Sequence, residues 1–135
     1  MSLLNALLGS ASEIQPSELQ RQLDPILANH EKVLCGFKAV RDLFVFTRCR
    51  LIFIDKQGLT GKKVCYHSIP YRNITQFAVE TAGHFDMDAE LKIWVSGASA
   101  PINRRLRRGT EVTRLQKLLA ECTMPAGGTA TATQG

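Results

Sequence analysis

The sequence lacks any long hydrophobic run. No stretch approaches the roughly 20 consecutive apolar residues that a membrane-spanning helix requires. The apolar residues 1–8 carry no basic residue ahead of their leucines, and the run is too short for the hydrophobic part of a secretory signal. We therefore expect a cytoplasmic protein, with peripheral contact to a membrane as the alternative location.

Paired or clustered cysteines are missing, which argues against the usual cysteine-based sites. The spacings match neither a zinc ribbon nor the paired framework of a secreted protein. The four cysteines stand in apolar or strand-like stretches: Cys35, Cys49, Cys65 and Cys122. This pattern predicts free, buried thiols. We expect no metal ion and no cofactor.

The sequence also lacks a catalytic constellation. Its serines are not surrounded by a nucleophile elbow, and it has no glycine-rich loop for a nucleotide. The histidines His30, His67 and His84 are scattered, without the further partners that a zinc site or a catalytic dyad needs. We therefore predict a binding protein and not an enzyme.

Acidic residues are outnumbered by basic ones, 12 to 17, which gives a net charge of +5. The excess is unevenly distributed, because residues 1–31 carry a net charge of −3 and the remainder carries +8. A basic body with an acidic head could bind a second copy of itself. The basic body could equally attract anionic lipid headgroups, nucleic acid or an acidic partner.

Alternation of apolar and polar residues is the strongest pattern present, and it is clearest over residues 85–96. Such alternation is typical of a half-buried β-strand, and a strand of this length normally crosses a strongly bent antiparallel sheet or barrel. Six further segments rich in β-branched and aromatic residues predict strands at 33–40, 43–47, 50–55, 63–69, 74–81 and 101–106. With 135 residues, the chain is long enough for one such domain.

Helical spacing flanks the strands. Two short amphipathic helices are predicted within residues 1–31, and Pro25 restarts or kinks the second one. After Gly109, apolar residues at helical spacing predict one closing helix, with Thr110 capping its first turn. We thus expect an N-terminal helical segment (1–31), a β-domain with its closing helix (32–122) and a flexible tail (123–135).

Seven strands followed by one C-terminal amphipathic helix is the element order of the pleckstrin-homology (PH) superfold. The chain resembles the bacterial PH family in residues 41–47 (RDLFVFT), 55–63 (DKQGLTGKK), 68–71 (SIPY), 79–86 (VETAGHFD) and 89–94 (AELKIW). The resemblance covers residues 13–121. It implies a mainly β fold, namely a PH-like seven-stranded antiparallel β-sandwich or partial barrel closed by a C-terminal helix and preceded by short N-terminal helices. It further implies a ring-like homo-oligomer with no established ligand.

The polar face of the strand at 85–96 is the predicted interface with a second copy of the chain or with an unidentified protein partner. A flat row of carboxylates does not converge on one cation, whereas tryptophan is common in protein contacts. The interface candidates are Asp86, Asp88, Glu90 and Trp94. Assembly through this face is the leading functional hypothesis.

Basic residues support an alternative function, peripheral binding to anionic membrane lipid headgroups. The likeness to eukaryotic PH domains suggests a phosphoinositide site made of a lysine and an Arg-x-Arg, although a solvated hairpin end explains the same residues. A dense arginine cluster suits phosphate groups, although it could also be an exposed strand end. We expect no nucleic-acid binding, because no aromatic residue interleaves that cluster. The anionic-ligand candidates are Lys38, Arg48, Arg50, Lys62, Lys63, Arg104, Arg105, Arg107 and Arg108.

Overall fold

The computed structural model describes residues 13–40, 42–57, 63–81, 89–107 and 110–124, and within these ranges it contains eight strands and two α-helices. Short 3₁₀ helices at Asp24–Ile26 and Tyr71–Asn73 complete the regular structure. The elements are β1 (Glu13–Ile14), α1 (Pro16–Leu23), β2 (Val33–Lys38), β3 (Asp42–Thr47), β4 (Arg50–Gln57), β5 (Lys63–Pro70), β6 (Ile74–Glu80), β7 (Ala89–Val95), β8 (Ile102–Leu106) and α2 (Val112–Thr123).

The strands form two antiparallel sheets in simple sequential order. The first sheet has the order β1-β2-β3-β4-β5, and the second has the order β6-β7-β8. An isolated bridge between Ala39 and Leu106 joins the end of β2 to the end of β8. This arrangement confirms the predicted PH-like β-sandwich with its closing helix, and β1 is an additional strand that the sequence did not predict.

The core between the sheets contains a cluster of four phenylalanine rings. Phe44 lies at its centre, with its ring centroid 5.6 Å from Phe37, 6.0 Å from Phe46 and 5.7 Å from Phe53. Helix α2 closes this core, because its buried Leu115 and Leu119 belong to the same cluster. The predicted closing helix therefore packs on the inward-facing side chains of both sheets.

The first sheet is covered on its second face as well. Leu19 and Leu23 of α1 pack there against a separate cluster that includes Leu43 and Ile52. Gly36 allows this close approach, since a β-carbon at this position would stand 2.5 Å from Leu19 Cδ1. Burial on both faces explains why every residue of β3 is buried.

The helices differ from the predictions in detail. Pro25 lies in the 3₁₀ turn that follows α1, as expected of a proline that interrupts a helix. The predicted Thr110 cap is wrong, because Glu111 occupies the N-cap position and the Thr110 hydroxyl donates instead to the Arg107 carbonyl at 2.6 Å. No helix among the described residues has the length and hydrophobicity to cross a membrane.

The cysteines are free, but most of them are not buried. Cys35 lies in the core, whereas Cys122 is half-buried. Cys49 lies in the turn between β3 and β4, and Cys65 lies on β5 at the edge of the first sheet, so both are exposed. The prediction of buried thiols is therefore wrong for these two residues.

Candidate functional site

The second sheet has an outward surface that carries its polar side chains. On β7 the inward residues Leu91 and Ile93 are fully buried, while Trp94 on the opposite side of the strand is only half-buried. We call this surface the outer face. It consists of Gln76, Ala78, Glu80, Glu90, Lys92, Trp94, Asn103 and Arg105, which the strand register places side by side.

Charges of both signs share the outer face. Glu80, Glu90 and Arg105 form one row across three strands. The Lys92 ammonium lies 3.5 Å from a Glu80 carboxylate oxygen. A cavity of about 210 Å³ opens at this end of the sheet, lined by Glu80, Thr81, Ala89, Glu90 and Arg105.

Of the other three predicted interface residues, the structure describes only Glu90. Glu90 is half-buried on the outer face with Trp94. Asp86 and Asp88 lie outside the described residues, as do the basic candidates Lys62 and Arg108. The described part of the predicted interface therefore lies on β7, between its two neighbouring strands.

Arg50, a predicted anion-binding residue, already binds a carboxylate of the protein. Its Nε donates to Glu31 Oε2 at 2.8 Å, and its Nη2 donates to Glu31 Oε1 at 3.0 Å. Its remaining bonds reach the Ile26 carbonyl and the Ser68 hydroxyl, both at 2.8 Å. This bidentate pair joins the N-terminal segment to the first sheet.

Glu31 is the buried centre of this arrangement, with only 3% of its surface exposed. It accepts bonds from the Thr47 hydroxyl at 2.6 Å and from the Ala28 amide at 3.0 Å. Burial raises the pKa of Glu31, but the bonds from Arg50, Thr47 and Ala28 outweigh burial and hold the pKa at about 2. The folded protein thus keeps a buried carboxylate ionised.

The pKa of Glu31 predicts a specific acid sensitivity. Because this pKa lies below the ordinary value of 4.5, the ionised group stabilises the fold above pH 4.5, and this stabilisation is lost as the pH falls towards 2. Glu31→Gln should therefore be less stable than the unmodified protein by on the order of 3 kcal/mol at pH 6. Denaturant unfolding at several pH values should show this difference shrinking below pH 4.5.

The matched control is Glu121, an acidic residue that is exposed on α2. Glu121→Gln should lower the free energy of unfolding at pH 6 by much less than Glu31→Gln does. A difference between the Glu31→Gln variant and the unmodified protein that stays constant from pH 6 to pH 2 would contradict the assigned role of Glu31.

Arg104, another predicted anion-binding residue, connects the two sheets. Its Nε lies 2.7 Å from Asp42 Oδ2 and its Nη2 lies 3.3 Å from Asp55 Oδ2. The Nε–H lacks a well-directed hydrogen bond, so the contact with Asp42 is mainly ionic. The guanidinium carbon stands 4.8 Å from the centre of the Phe53 ring. We call Asp42, Asp55 and Arg104 the inter-sheet cluster.

Of the remaining basic candidates, Arg48 lies in the turn that follows β3, whereas Lys38 and Lys63 lie at the opposite end of the first sheet. Lys38 is 3% exposed, and burial together with the nearby charge of Arg107 lowers the pKa of Lys38. Arg48 and Lys63 are exposed. Arg105 is exposed on the outer face and Arg107 is half-buried beyond β8. The structure therefore does not bring these candidates together into one pocket.

Three acidic residues with structural roles were missed from the sequence: Glu31, Asp42 and Asp55. Asp42 did carry a usable signal, because it opens the strongly apolar strand β3 and an acid at such a position needs a buried partner. The partner of Glu31 is 19 residues away in the chain, so no local pattern reveals that pair. Among the described residues, no group of three or more His, Cys, Asp or Glu side chains could hold a metal ion.

Comparison with known protein sequences gives the chain clear relatives. The family model described as Bacterial PH domain matches residues 2–123. The uncharacterized protein YjqA of Bacillus subtilis is 49% identical over 125 residues, which cover 92% of this chain and 100% of YjqA. The uncharacterized protein YozO of the same organism is 29% identical over 101 residues, which cover 75% of this chain and 86% of YozO.

Solved structures agree with this assignment. The pleckstrin homology domain from Shewanella amazonensis SB2B has a TM-score of 0.74 and 55% identity, covering 92% of this chain and 100% of that one. A DUF1696 family protein with a pleckstrin-homology domain from Shewanella loihica PV-4 has a TM-score of 0.76 and 52% identity, covering 86% and 99%. The two sheets, the closing α-helix and these matches together show that the chain belongs to the bacterial PH domain family.

Proposed function

We propose that this chain is a non-catalytic interaction module that assembles with copies of itself into a homo-oligomeric ring, using the outer face. The observation that carries the proposal is Trp94, a large aromatic side chain left half-buried on that face. The apolar side chains of the helices pack elsewhere, α1 on the first sheet and α2 on the core between the sheets. Tryptophan is over-represented among the residues that contribute most to the stability of protein contacts.

The charges of the outer face support a contact between identical copies. Acidic Glu80 and Glu90 lie beside basic Lys92 and Arg105, so the face offers both signs to a partner of the same composition. Pairing opposite charges across the interface would fix the register of one copy on the next. A repeated contact of this kind closes into a ring when its rotation permits.

The sheet edges provide a second means of association. Within the described residues, β5 pairs only with β4 and β6 pairs only with β7. Each of these strands therefore presents main-chain groups along one side, which can accept a strand of another chain. These two edge strands, β5 and β6, follow each other in the chain and are connected by the 3₁₀ helix at Tyr71–Asn73.

Trp94→Ala tests the proposed interface. If Trp94 lies at the centre of the contact, the variant should lose about 2 kcal/mol of association free energy, which is about a thirtyfold weaker association. Sedimentation velocity over a concentration series would show the variant dissociating at concentrations where the unmodified protein stays assembled. Far-ultraviolet circular dichroism would verify that the variant is folded.

Ile26→Ala is the matched control, because Ile26 is a large apolar residue that is 39% exposed in the 3₁₀ turn after α1, remote from the outer face. It should leave association unchanged. Equal association of the Trp94→Ala variant and the unmodified protein would remove the outer face from the proposal.

Anionic lipid as a ligand has less support. Arg50 and Arg104 are held by carboxylates, so a phosphate group would have to displace an ion pair at each of these positions. Lys38 is buried. A ring would still multiply the weak attraction of exposed basic residues such as Arg48 and Lys63. In this proposal, binding to an anionic membrane depends on assembly of the ring.

A further inference from the structure

The inter-sheet cluster contains more negative than positive groups. Asp42 and Asp55 are directly opposite in the register of β3 and β4, and Arg104 reaches both of them from the second sheet. If both carboxyl groups were ionised, two negative charges would face a single guanidinium in a site where Asp42 is only 4% exposed. Such an imbalance in a buried site is costly.

The inter-sheet cluster also contains a buried polar atom without a hydrogen-bond partner. Asp42 Oδ1 is buried, and among the described residues it accepts no hydrogen bond. The carboxyl groups of Asp42 and Asp55 are nevertheless held beside each other, because both contact the Arg104 guanidinium, and a hydrogen bond between two carboxyl groups requires a proton. A shared proton accounts for both the unpartnered oxygen and the proximity of the acids.

We propose that Asp42, Asp55 and Arg104 form a proton-controlled clamp between the two sheets. With one proton shared by the two carboxyl groups, one negative charge remains to balance Arg104 and the clamp is closed. When the pH rises, the carboxyl O–H releases this proton to water, the two carboxylates repel each other, and this end of the sandwich is loosened.

The electrostatics of Asp42 agree with the geometry. Burial, together with the hydrogen bond and the charge of Asp55, raises the pKa of Asp42 from its ordinary value of 3.8 to about 7, against the opposing effect of Arg104. The clamp would therefore change state near neutral pH.

Other titratable or charged groups lie near the clamp, and the experiment must distinguish their pH effects from that of the clamp. On β5, Cys65 is opposite Asp55, and the His67 ring centroid lies 6.5 Å from that of Phe53, the ring beneath Arg104. On β2, Lys38 is opposite Leu43, which packs on the other face of the first sheet. On β7, Arg104 faces the apolar Leu91. Among these described neighbours, the His67 imidazole therefore receives its own control variant.

The direction of the pH effect follows from proton binding. Between pH 4 and pH 7 the folded protein holds a proton that the unfolded chain has lost, so the stabilisation is complete below the ordinary pKa of Asp42 and disappears as the pH rises towards 7. The unfolding equilibrium constant should increase about tenfold for each pH unit in this interval. Asp42→Asn should abolish this dependence, because its amide can donate to Asp55 at every pH.

The test is denaturant unfolding of the full chain at fixed protein concentration from pH 4.5 to pH 8.5. We expect a falling midpoint for the unmodified protein and a smaller slope for the Asp42→Asn variant. The exposed Asp24 supplies a control, and Asp24→Asn should retain the slope of the unmodified protein, as should His67→Gln. Equal slopes for the Asp42→Asn variant and the unmodified protein, or loss of the slope in the His67→Gln variant alone, would overturn the proposal.

A second measurement does not depend on any variant folding. The aspartate carboxyl carbons of the unmodified protein, labelled with carbon-13, can be titrated by NMR. One carboxyl group titrating near pH 7 is the expected result, whereas titration of every aspartate below pH 5 would overturn the proposal.

Discussion

Arg50→Ala is expected to lower the free energy of unfolding by about 3–5 kcal/mol, because it leaves the buried Glu31 carboxylate without its cation. Glu31 would retain its bonds from Thr47 and Ala28, but these neutral donors do not balance its charge. The detachment of the N-terminal segment from the first sheet should accompany this loss, since Arg50 also binds the Ile26 carbonyl. Denaturant unfolding at pH 7 measures the effect.

Arg48→Ala provides the control, since Arg48 is two positions away, exposed and without a side-chain partner in the hydrogen bonds and ion pairs shown for the described residues. Its replacement should change the free energy of unfolding by no more than about 0.5 kcal/mol. If the Arg50→Ala and Arg48→Ala variants were equally stable, the Glu31–Arg50 pair would not have the structural role assigned to it.

Phe44→Ala is expected to have an effect of similar size, a loss of about 3–5 kcal/mol. Phe44 is fully buried at the centre of the aromatic cluster, and the contacts with Phe37, Phe46 and Phe53 would be replaced by a cavity. The cluster lies between the sheets, so the cavity cannot be filled without moving one sheet relative to the other. Phe44→Leu should cost less, because leucine restores part of the lost volume.

The matched control is Tyr66→Ala, since Tyr66 is an aromatic residue on β5 that is 45% exposed. Its replacement should change stability by no more than about 0.5 kcal/mol. Unfolding measurements in which the Tyr66→Ala and Phe44→Ala variants lost equal stability would show that the aromatic cluster is not the main source of core stability.

Much of the fold could be predicted from the sequence because its strands follow simple patterns. Alternation at Ala89, Leu91 and Ile93 correctly identified the buried side of β7, which faces the core on one side only. The seven predicted strands correspond to β2 through β8, although β2 ends two residues earlier than predicted, at Lys38. The predicted stretch 85–88 and the first predicted helix lie outside the described residues.

Burial of the first sheet on both faces was not anticipated, although its strands carried the signal. Residues 43–46 and 51–54 are uninterrupted apolar runs, which are typical of strands covered on both sides. Their second face packs against Leu19 and Leu23 of α1. The predicted helix and the predicted strands were therefore both correct, but the contact between them requires knowledge of the three-dimensional arrangement.

The partners of the basic residues could not be predicted from the sequence either. Arginine and lysine are usually exposed, so Arg50, Arg104 and Lys38 were natural candidates for an external anion. Arg50 and Arg104 bind carboxylates that are distant in sequence, and Lys38 is buried. Arg104 and its partner Asp42 even belong to different sheets. Trp94 and Glu90 were easier to interpret, because the alternation of β7 alone determines which side they occupy.

The most direct test of the proposed assembly is the absolute mass of the unmodified protein in solution, measured by size-exclusion chromatography with light scattering near physiological salt. We expect one discrete species whose mass is a whole multiple, greater than one, of the 14.9 kDa chain. A stable species of 14.9 kDa at all concentrations would contradict assembly through the outer face.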